Sequence, residues 1–165
     1  MNCWILQCNI NHFDWIEYMK KHKSKPDTWG INPKRNKKVI GKIKADDIAF
    51  IWLTQDKGKE TRGIYAMGRI TKSPNKNIRP FPYAKPFWRK TKTAKEAEER
   101  RMKLLNLELQ YIDRPIIENY IQKGELEAVG LGGLLVIKRP RGTSICEVPQ
   151  GCESIRKMLE TRQGR

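Results

Sequence analysis

The sequence predicts a mixed α+β domain in which about six short strands form a small barrel flanked by helices. Short apolar runs with strand-like patterning recur along the chain, stretches of helical spacing lie between them, and no internal repeat is visible. A length of 165 residues suits one domain with a sizeable core. We therefore expect one domain over residues 1–162, with residues 163–165 as a tail or the start of a linker.

The first third of the chain predicts a strand, a helix and a long loop. Residues 4–8 are apolar and alternate, which indicates a strand, whereas residues 12–19 carry apolar side chains at helical spacing. Pro26 ends this helical region, because the residue before a proline disfavours the helical conformation. Residues 27–38 contain Gly30 and Pro33 and are predicted to form a loop. A short strand near Val39 and a turn at residues 44–47 follow.

The middle third predicts a hairpin and a proline-rich loop. Residues 48–53 are β-branched and aromatic, residues 56–62 form a charged loop, and residues 63–70 return as a strand. Four prolines exclude regular structure from residues 73–88. Thr93 and Glu96 fit a capping box that opens a charged helix to about residue 102. Residues 105–112 alternate with a period of two, which predicts a strand with one solvated face.

The last third predicts two helices and two short strands. Pro115 is placed to begin a helix that runs to Lys123 and ends at Gly124. Residues 129–135 read as a glycine-rich turn, and residues 135–138 and 144–148 as strands. The final helix is expected from about residue 151 to residue 161.

The charge of the chain indicates an anionic partner. Lys and Arg number 34 against 18 Asp and Glu, which gives a formal net charge of +16. Such a lopsided balance favours nucleic acid, whereas the Lys/Glu-rich surface of a heat-stable protein would carry balanced signs. No apolar run approaches the roughly 18 residues that span a bilayer, and no export or lipidation signal is present at the N-terminus. We expect a cytoplasmic protein with no membrane partner.

The four cysteines lie at the two ends of the chain, at Cys3, Cys8, Cys146 and Cys152. Their spacings are not those of a zinc site, so no metal is expected. Without an export signal, buried thiols in a reducing cytoplasm are the expected state. The alternative that the two doublets meet in a disulfide or metal site stays open.

Catalytic constellations are not visible in the sequence. Asp46 and Asp47 form the only acidic doublet in the core region, and they occupy a turn that favours Asp. No metalloprotease-type His motif occurs, and residues 130–133 lack the Lys-Ser/Thr of a phosphate-binding loop. We therefore expect no catalytic residues, no cofactor and no enzymatic activity.

The sequence contains more features of nucleic-acid binding than of catalysis. Residues 20–44 contain ten Lys or Arg and one acid, Asp27, and residues 69–95 contain nine Lys or Arg and no acid. Aromatic residues interrupt both stretches, as phosphate contact combined with base stacking requires. Trp4, Trp15 and Phe50 lie at apolar-periodic positions and are expected in the core. The expected backbone contacts are Lys34, Arg35, Lys37, Lys38, Arg79, Lys85, Arg89 and Lys90.

Several ordered segments resemble the EVE domain, a PUA-like barrel that is close to YTH domains. They are Cys3-Trp4-Ile5-Leu6-Gln7-Cys8-Asn9, Thr28-Trp29-Gly30-Ile31-Asn32, Ala45-Asp46-Asp47-Ile48-Ala49-Phe50-Ile51-Trp52, Arg62-Gly63-Ile64-Tyr65-Ala66-Met67-Gly68-Arg69-Ile70 and Arg141-Gly142-Thr143. The resemblance spans about residues 1–160. It implies a small PUA-like barrel and recognition of a modified base, flipped from its strand into a cage of aromatic rings.

The resemblance also implies roles for individual residues. Trp29 matches a wall of YTH-type pockets, Trp52 a second wall, and Trp88 or Phe87 a third. The other residues expected at the pocket are the base-edge contacts Gly30 and Ile31, the hydrogen-bonding Asn32, and Cys8 and Asn9 of the opening segment.

The sequence leaves two binding hypotheses open. The first is a reader of modified DNA, with N6-methyladenine ahead of modified cytosine. In that case the resemblance implies the recognition module of an McrB-like restriction system, with a fused or partner GTPase motor and a nuclease subunit. The second is a PUA-like domain that recognises methylated or structured RNA. The end of the chain just past its last predicted helix suits either a free-standing protein or an excised module.

Overall fold

The computed structural model describes residues 1–89, 96, 99, 103–139 and 144–164. Within these residues, a curled mixed sheet of seven strands forms a half-barrel with helices packed against it. The strands are β1 (Cys3–Cys8), β2 (Asp27–Ile31), β3 (Ile48–Leu53), β4 (Gly63–Asn75), β5 (Leu105–Tyr111), β6 (Ile121–Gln122) and β7 (Ile145–Glu147). The helices are α1 (Trp15–His22), α2 (Lys123–Ala128), α3 (Leu135–Lys138) and α4 (Cys152–Arg162), with 3-10 turns at Ile40–Lys42 and Pro82–Phe87. The α+β prediction is confirmed.

The strands are hydrogen-bonded in the order β2-β5-β4-β3-β1-β7, and β6 pairs with β4 outside this path. β1 runs parallel to β3, with Cys3 opposite Ile48 and Cys8 opposite Leu53, whereas the other pairs are antiparallel. β2 ends the path and pairs with β5 alone among the described strands. One edge of β2 therefore presents backbone groups without a ladder partner in the sheet.

The two faces of the sheet bury different hydrophobic clusters. Alternation along β1 and β3 sends Trp4, Leu6 and Ile51 into an inner cluster, against which α1 packs. Ile5 and Phe50 point to the opposite face and pack in an outer cluster with residues of α2, α3 and α4. The predicted burial of Trp4, Trp15 and Phe50 is confirmed, because each has 0% of its surface exposed.

Several predicted elements hold and others are wrong in the first half of the chain. β1, α1, β3 and the hairpin to β4 lie close to where the patterns predict them. The prediction that residues 73–88 lack regular structure is wrong, because β4 continues through Pro74 to Asn75 and Pro82–Phe87 form a 3-10 turn. Residues 27–31, predicted as loop, form β2 because they pair with β5 and because Ile31 is buried in the inner cluster. The predicted strand near Val39 is a 3-10 turn. Most of the predicted helix at Thr93 lies outside the described residues.

The C-terminal predictions fail where local pattern and tertiary contact disagree. The helix predicted from Pro115 to Lys123 is absent, and α2 instead begins at Lys123 behind a capping box of Gln122 and Glu125. The strand predicted at residues 135–138 is the short helix α3, whose Val136 is fully buried in the outer cluster. β5, β7 and α4 confirm the predicted strands and the final helix.

A disulfide joins Cys3 of β1 to Cys152 of α4, across 149 residues and with 6.0 Å between the Cα atoms. The expectation of four thiols is therefore wrong for this pair, and the alternative that the two doublets meet is confirmed. The pairing of β1 with β7 brings the chain ends together, which cysteine spacing alone does not encode. Cys8 and Cys146 are buried and take no part in the disulfide.

Candidate functional site

A cavity of about 210 Å³ opens where the end of β1 lies near β2. Its walls come from these two strands, the loop before α1, the 3-10 turn at Pro82–Phe87 and the residue before β5. The lining residues are Gln7, Cys8, Asn9, His12, Phe13, Asp27, Thr28, Trp29, Gly30, Ala84, Trp88 and Leu104. This volume is below the roughly 300–1,000 Å³ of clefts that take drug-sized ligands, and it suits one small planar group.

β2 contributes Trp29 and Gly30 to the cavity. Trp29 is half-buried and packs against the inner cluster. A Cβ at Gly30 would lie 2.7 Å from Cδ1 of Leu104 and 3.4 Å from Oδ1 of Asn106. The missing side chain therefore lets Leu104 lie directly against the strand, where it forms part of the cavity wall.

Trp88 is held in place by the segment that precedes α1. Phe13 and Trp88 form an antiparallel β-bridge, and their ring centroids are 5.0 Å apart with 54° between the planes. The Asp14 amide donates to the Phe87 carbonyl at 2.8 Å, and the Arg89 amide donates to the His12 carbonyl at 2.8 Å. These bonds fix the end of the proline-rich loop to the segment between β1 and α1, and Trp88 gives the cavity a second indole.

The buried carboxylate of Asp27 is the centre of a hydrogen-bond network at the start of β2. Asp27 is 5% exposed, and its side chain accepts hydrogen bonds from the Tyr18 hydroxyl at 3.0 Å, the Tyr111 hydroxyl at 2.7 Å and the Thr28 amide at 2.8 Å. Burial, reinforced by the Asp27 charge, raises the pKa of Tyr111 well above its ordinary value, so this hydroxyl stays a donor. The network holds the start of β2, and with it the cavity wall, against the inner cluster.

Of the nine residues predicted at the pocket, five line the cavity: Cys8, Asn9, Trp29, Gly30 and Trp88. Ile31 is fully buried in the inner cluster. The Asn32 side chain accepts from the Lys34 and Arg35 amides at 3.0 and 3.2 Å, so it caps the following turn. Phe87 packs on Phe13, Tyr18 and His22. These three residues do not line the cavity.

The predicted second wall, Trp52, is placed elsewhere. It is 1% exposed and belongs to the outer cluster, on the opposite side of the sheet from Trp4 and Leu6. Phe50 and Trp52 are two residues apart on β3, so they share a face, and that face is covered by helices. This placement corrects the prediction, because Trp52 does not line the cavity; the aromatic lining residues beside Trp29 are Phe13 and Trp88.

The EVE domain model matches residues 2–158, which is nearly the whole chain. The chain belongs to the EVE family.

Solved structures share this fold at low sequence identity. A hypothetical protein from Leishmania major is 11% identical with a TM-score of 0.63, and the match covers 100% of this chain and 98% of that one. Human THYN1 in complex with 5-methylcytosine containing DNA is 17% identical, with a TM-score of 0.60 and coverage of 100% and 99%. The MmI1 YTH domain is 12% identical, with a TM-score of 0.55 and coverage of 100% of both chains. Comparison with curated proteins found no match.

The predicted phosphate contacts of this EVE domain lie on its surface. Those within the described residues are exposed, namely Lys34, Arg35, Lys37, Lys38, Arg79, Lys85 and Arg89. Arg89 faces Asp14 at 3.6 Å, so part of its charge is neutralised near the Trp88 wall. Lys90 lies outside the described residues, as do residues 141–143 of the resemblance.

Sequence reasoning missed seven residues that line the cavity. They are Gln7, His12, Phe13, Asp27, Thr28, Ala84 and Leu104. The sequence does distinguish Asp27, because it is the single acid in a stretch with ten cations, directly before the Trp29 segment. No sequence signal distinguishes Phe13, because its apolar spacing equally fits a helix that packs on the core.

The described residues of this EVE domain contain no group of three or more His, Cys, Asp or Glu side chains arranged to hold a metal ion. Among the same residues, no helix has the length and apolar character needed to cross a bilayer.

Proposed function

We propose that this EVE domain binds nucleic acid and recognises a modified base that is flipped out of its strand into the cavity between β1 and β2. The observation that carries the proposal is that Trp29 and Trp88, both predicted as ring walls, line one cavity of about 210 Å³. Two indoles around a space for one planar group provide stacking surfaces for a base. The surrounding surface supplies the cations that a phosphate backbone requires.

The stacking energy that a flipped base gains is comparable to the energy that its extrusion costs. Stacking on aromatic rings contributes about 1–3 kcal/mol per base, whereas extrusion from a duplex costs a few kcal/mol and less for a base with weakened pairing. A methyl group buried against a ring adds about 0.8 kcal/mol. The methyl group alone therefore gives modest discrimination, and exclusion of water from the shaped cavity supplies the rest.

DNA is the proposed substrate, and two modifications are candidates. The resemblance of the Trp29 segment to YTH-type pockets supports N6-methyladenine, which we place first. The shared fold with human THYN1, solved in complex with 5-methylcytosine containing DNA, supports modified cytosine. Both bases present a methyl group on the edge of a flat ring, so one aromatic cavity suits the chemistry of either.

The deciding experiment measures binding to matched duplexes that carry adenine, N6-methyladenine, cytosine, 5-methylcytosine or 5-hydroxymethylcytosine at one position. We expect salt-sensitive binding to all five and tighter binding to at least one modified duplex. Equal affinity across the set would remove base recognition. An RNA oligonucleotide of the same sequence tests the alternative, because an RNA reader depends on 2′-hydroxyl contacts and would bind it more tightly than the DNA.

Trp29→Ala tests the pocket itself. We expect this variant to lose its preference for the modified duplex and to keep weak, salt-dependent binding, because phosphate contacts do not involve the indole. Trp29→Phe is the matched control and should keep part of the preference. An equal loss of affinity for modified and unmodified duplexes in Trp29→Ala would make Trp29 a structural residue.

We further propose that this chain serves as the DNA-recognition module of a modification-dependent restriction system in the cytoplasm. In that arrangement the chain supplies recognition only, and a fused or partner GTPase motor and nuclease supply cleavage. The resemblance to modules of McrB-like systems supports this role. Incubation of the chain alone with modified DNA should leave the DNA intact, and cleavage in the presence of magnesium would contradict a pure binding role.

A further inference from the structure

A second cleft, of about 400 Å³, lies beside the cavity. Its lining residues are Lys76, Asn77, Arg79, Pro80, Lys103, Leu104, Leu105 and Asn106. Three of these side chains are cations, and none is an acid. We call this feature the basic cleft. Neither Lys76 nor Lys103 is among the phosphate contacts that the sequence predicts.

The cations of the basic cleft are not neutralised within the described residues. Lys76, Arg79 and Lys103 are exposed and form no ion pair with any residue that the structure describes. Nearby Lys72, in contrast, contacts Glu108 at 2.9 Å. Three like charges around one concave surface repel each other, and an anion in the cleft relieves that repulsion.

The backbone around the basic cleft is held by β5. Asn106 is buried opposite Asn75 in the β4–β5 ladder, and its Nδ2 donates to the Ile78 carbonyl at 3.1 Å. The Asn77 amide donates to the Asn75 side chain at 2.8 Å. These bonds fix the turn that carries Lys76 and Arg79, so the cations are presented by a positioned loop.

Leu104 connects the basic cleft to the cavity, because it lines both. On the cavity side its Cδ1 lies against Gly30, whose strand β2 carries Trp29. A base in the cavity would therefore lie beside the leucine that also borders the three cations. Because the two sites share this residue, one strand can place a base in the cavity and a neighbouring phosphate in the cleft.

We propose that the basic cleft binds a backbone phosphate next to the flipped nucleotide, on the same strand, through Lys76, Arg79 and Lys103. This inference rests on the proposed function, because it uses the cavity as the site of the base. The cleft fixes where the strand runs, from the cavity over Leu104 towards the turn after β4. It supplies affinity without reading sequence, since phosphates are the same at every position.

The first test replaces Lys76, Arg79 and Lys103 together by Gln. The matched control replaces Lys44, Arg114 and Lys138 by Gln. These cations are exposed, line neither cavity and form no ion pair with a described residue, so the control removes the same charge from elsewhere on the surface. Relative to this control, we expect the cleft variant to bind modified and unmodified duplexes about 10- to 100-fold more weakly. In a plot of log affinity against log salt concentration, the magnitude of the slope should fall by about two to three. Affinity and slope equal to those of the control would overturn the proposal.

The second test locates the phosphate. Single neutral methylphosphonate linkages are placed at each position around the modified base, and both wild type and cleft variant are titrated. A neutral linkage within two nucleotides of the base should weaken the wild type and leave the cleft variant unchanged, because its partner charges are already gone. If every neutral linkage weakens the cleft variant as much as it weakens the wild type, the assignment is overturned.

The two proposals fail separately. A wild type with no preference for a modified base, together with a loss specific to the cleft variant, overturns base recognition and keeps the phosphate site. A clear preference for a modified base, together with a cleft variant that behaves as the control does, overturns the basic cleft alone. Circular dichroism of all variants confirms that the exposed substitutions leave the fold intact.

Discussion

The ring of Phe13 lies 5.0 Å from the indole of Trp88, and the backbones of the two residues form a β-bridge. Phe13 also contacts Tyr18 of α1, with 5.3 Å between ring centroids. Trp88 directly follows the 3-10 turn at Pro82–Phe87, and the contact with Phe13 joins it to the segment before α1. Phe13 therefore packs between the inner cluster and the Trp88 wall of the cavity.

Phe13→Ala should weaken the preference for a modified duplex several-fold while leaving salt-dependent binding to any duplex. The half-buried ring makes a stability loss of about 1–3 kcal/mol the expectation, below the roughly 3–5 of a fully buried Phe. Binding titrations and guanidinium denaturation measure the two effects. Ile16→Ala is the control, because Ile16 packs against the same cluster and does not line the cavity. Full preference in a folded Phe13→Ala protein would refute the role of Phe13.

Gly30→Ala should reduce affinity for the modified duplex with little effect on the fold. The new Cβ would meet the flexible end of Leu104 at 2.7 Å and displace it. Gly41→Ala is the control, because a Cβ there meets nothing within 4 Å. Truncation of Leu104 to Ala in the same protein should restore part of the affinity by removing the clash. If Gly30→Ala binds as the wild type does, Leu104 does not shape the site.

Tyr111→Phe should destabilise the domain by about 1–3 kcal/mol, because it removes a donor from a buried carboxylate. The affected bond joins the Tyr111 hydroxyl to Oδ2 of Asp27 at 2.7 Å. Tyr120→Phe, which removes an exposed bond to the Glu60 carbonyl, is the control and should cost much less. Denaturation midpoints at equal slope compare the two variants. Equal midpoints would show that the Asp27 network does not stabilise β2.

Cys152→Ser, or reduction of the wild type, should lower the free energy of unfolding by about 2–5 kcal/mol, because the disulfide closes a loop of 149 residues. Cys146→Ala is the control for loss of a buried sulfur. Burial raises the pKa of the Cys146 thiol to about 11, so this thiol should resist alkylation at pH 8 until the protein unfolds. Unfolded, unreduced protein should accept two alkyl labels by mass spectrometry, and four labels would show that the disulfide is absent.

Sequence reasoning recovered the fold where burial and local preference agree. β3 is buried on both faces and β-branched, so its identity as a strand follows from the sequence alone. β2 did not follow, because Asp27 and Gly30 disfavour strands and only pairing with β5 stabilises the extended conformation. The same conflict explains α3, whose Leu, Val and Ile suit a strand until the outer cluster buries Val136.

The site was predictable only in part for a similar reason. Trp29 and Trp88 were predictable, because they lie in the two basic stretches and because the resemblance assigns them to the pocket. Trp52 was misplaced, because resemblance fixes its position along β3 and not the face to which that position points. Leu104 joins two cavities through contacts between distant parts of the chain, and such contacts have no local sequence signal.

The position of β1 between β3 and β7 also constrains how the chain folds during synthesis. Its parallel partner becomes available after about fifty residues, but its antiparallel partner follows at Ile145–Glu147. Until then one side of a strongly apolar strand lacks its ladder, and such edges pair readily with other chains. Contacts of this sequence separation also slow folding, because long loops must close before they form. One edge of β1 is therefore open to mispairing until nearly all of the domain has been synthesised.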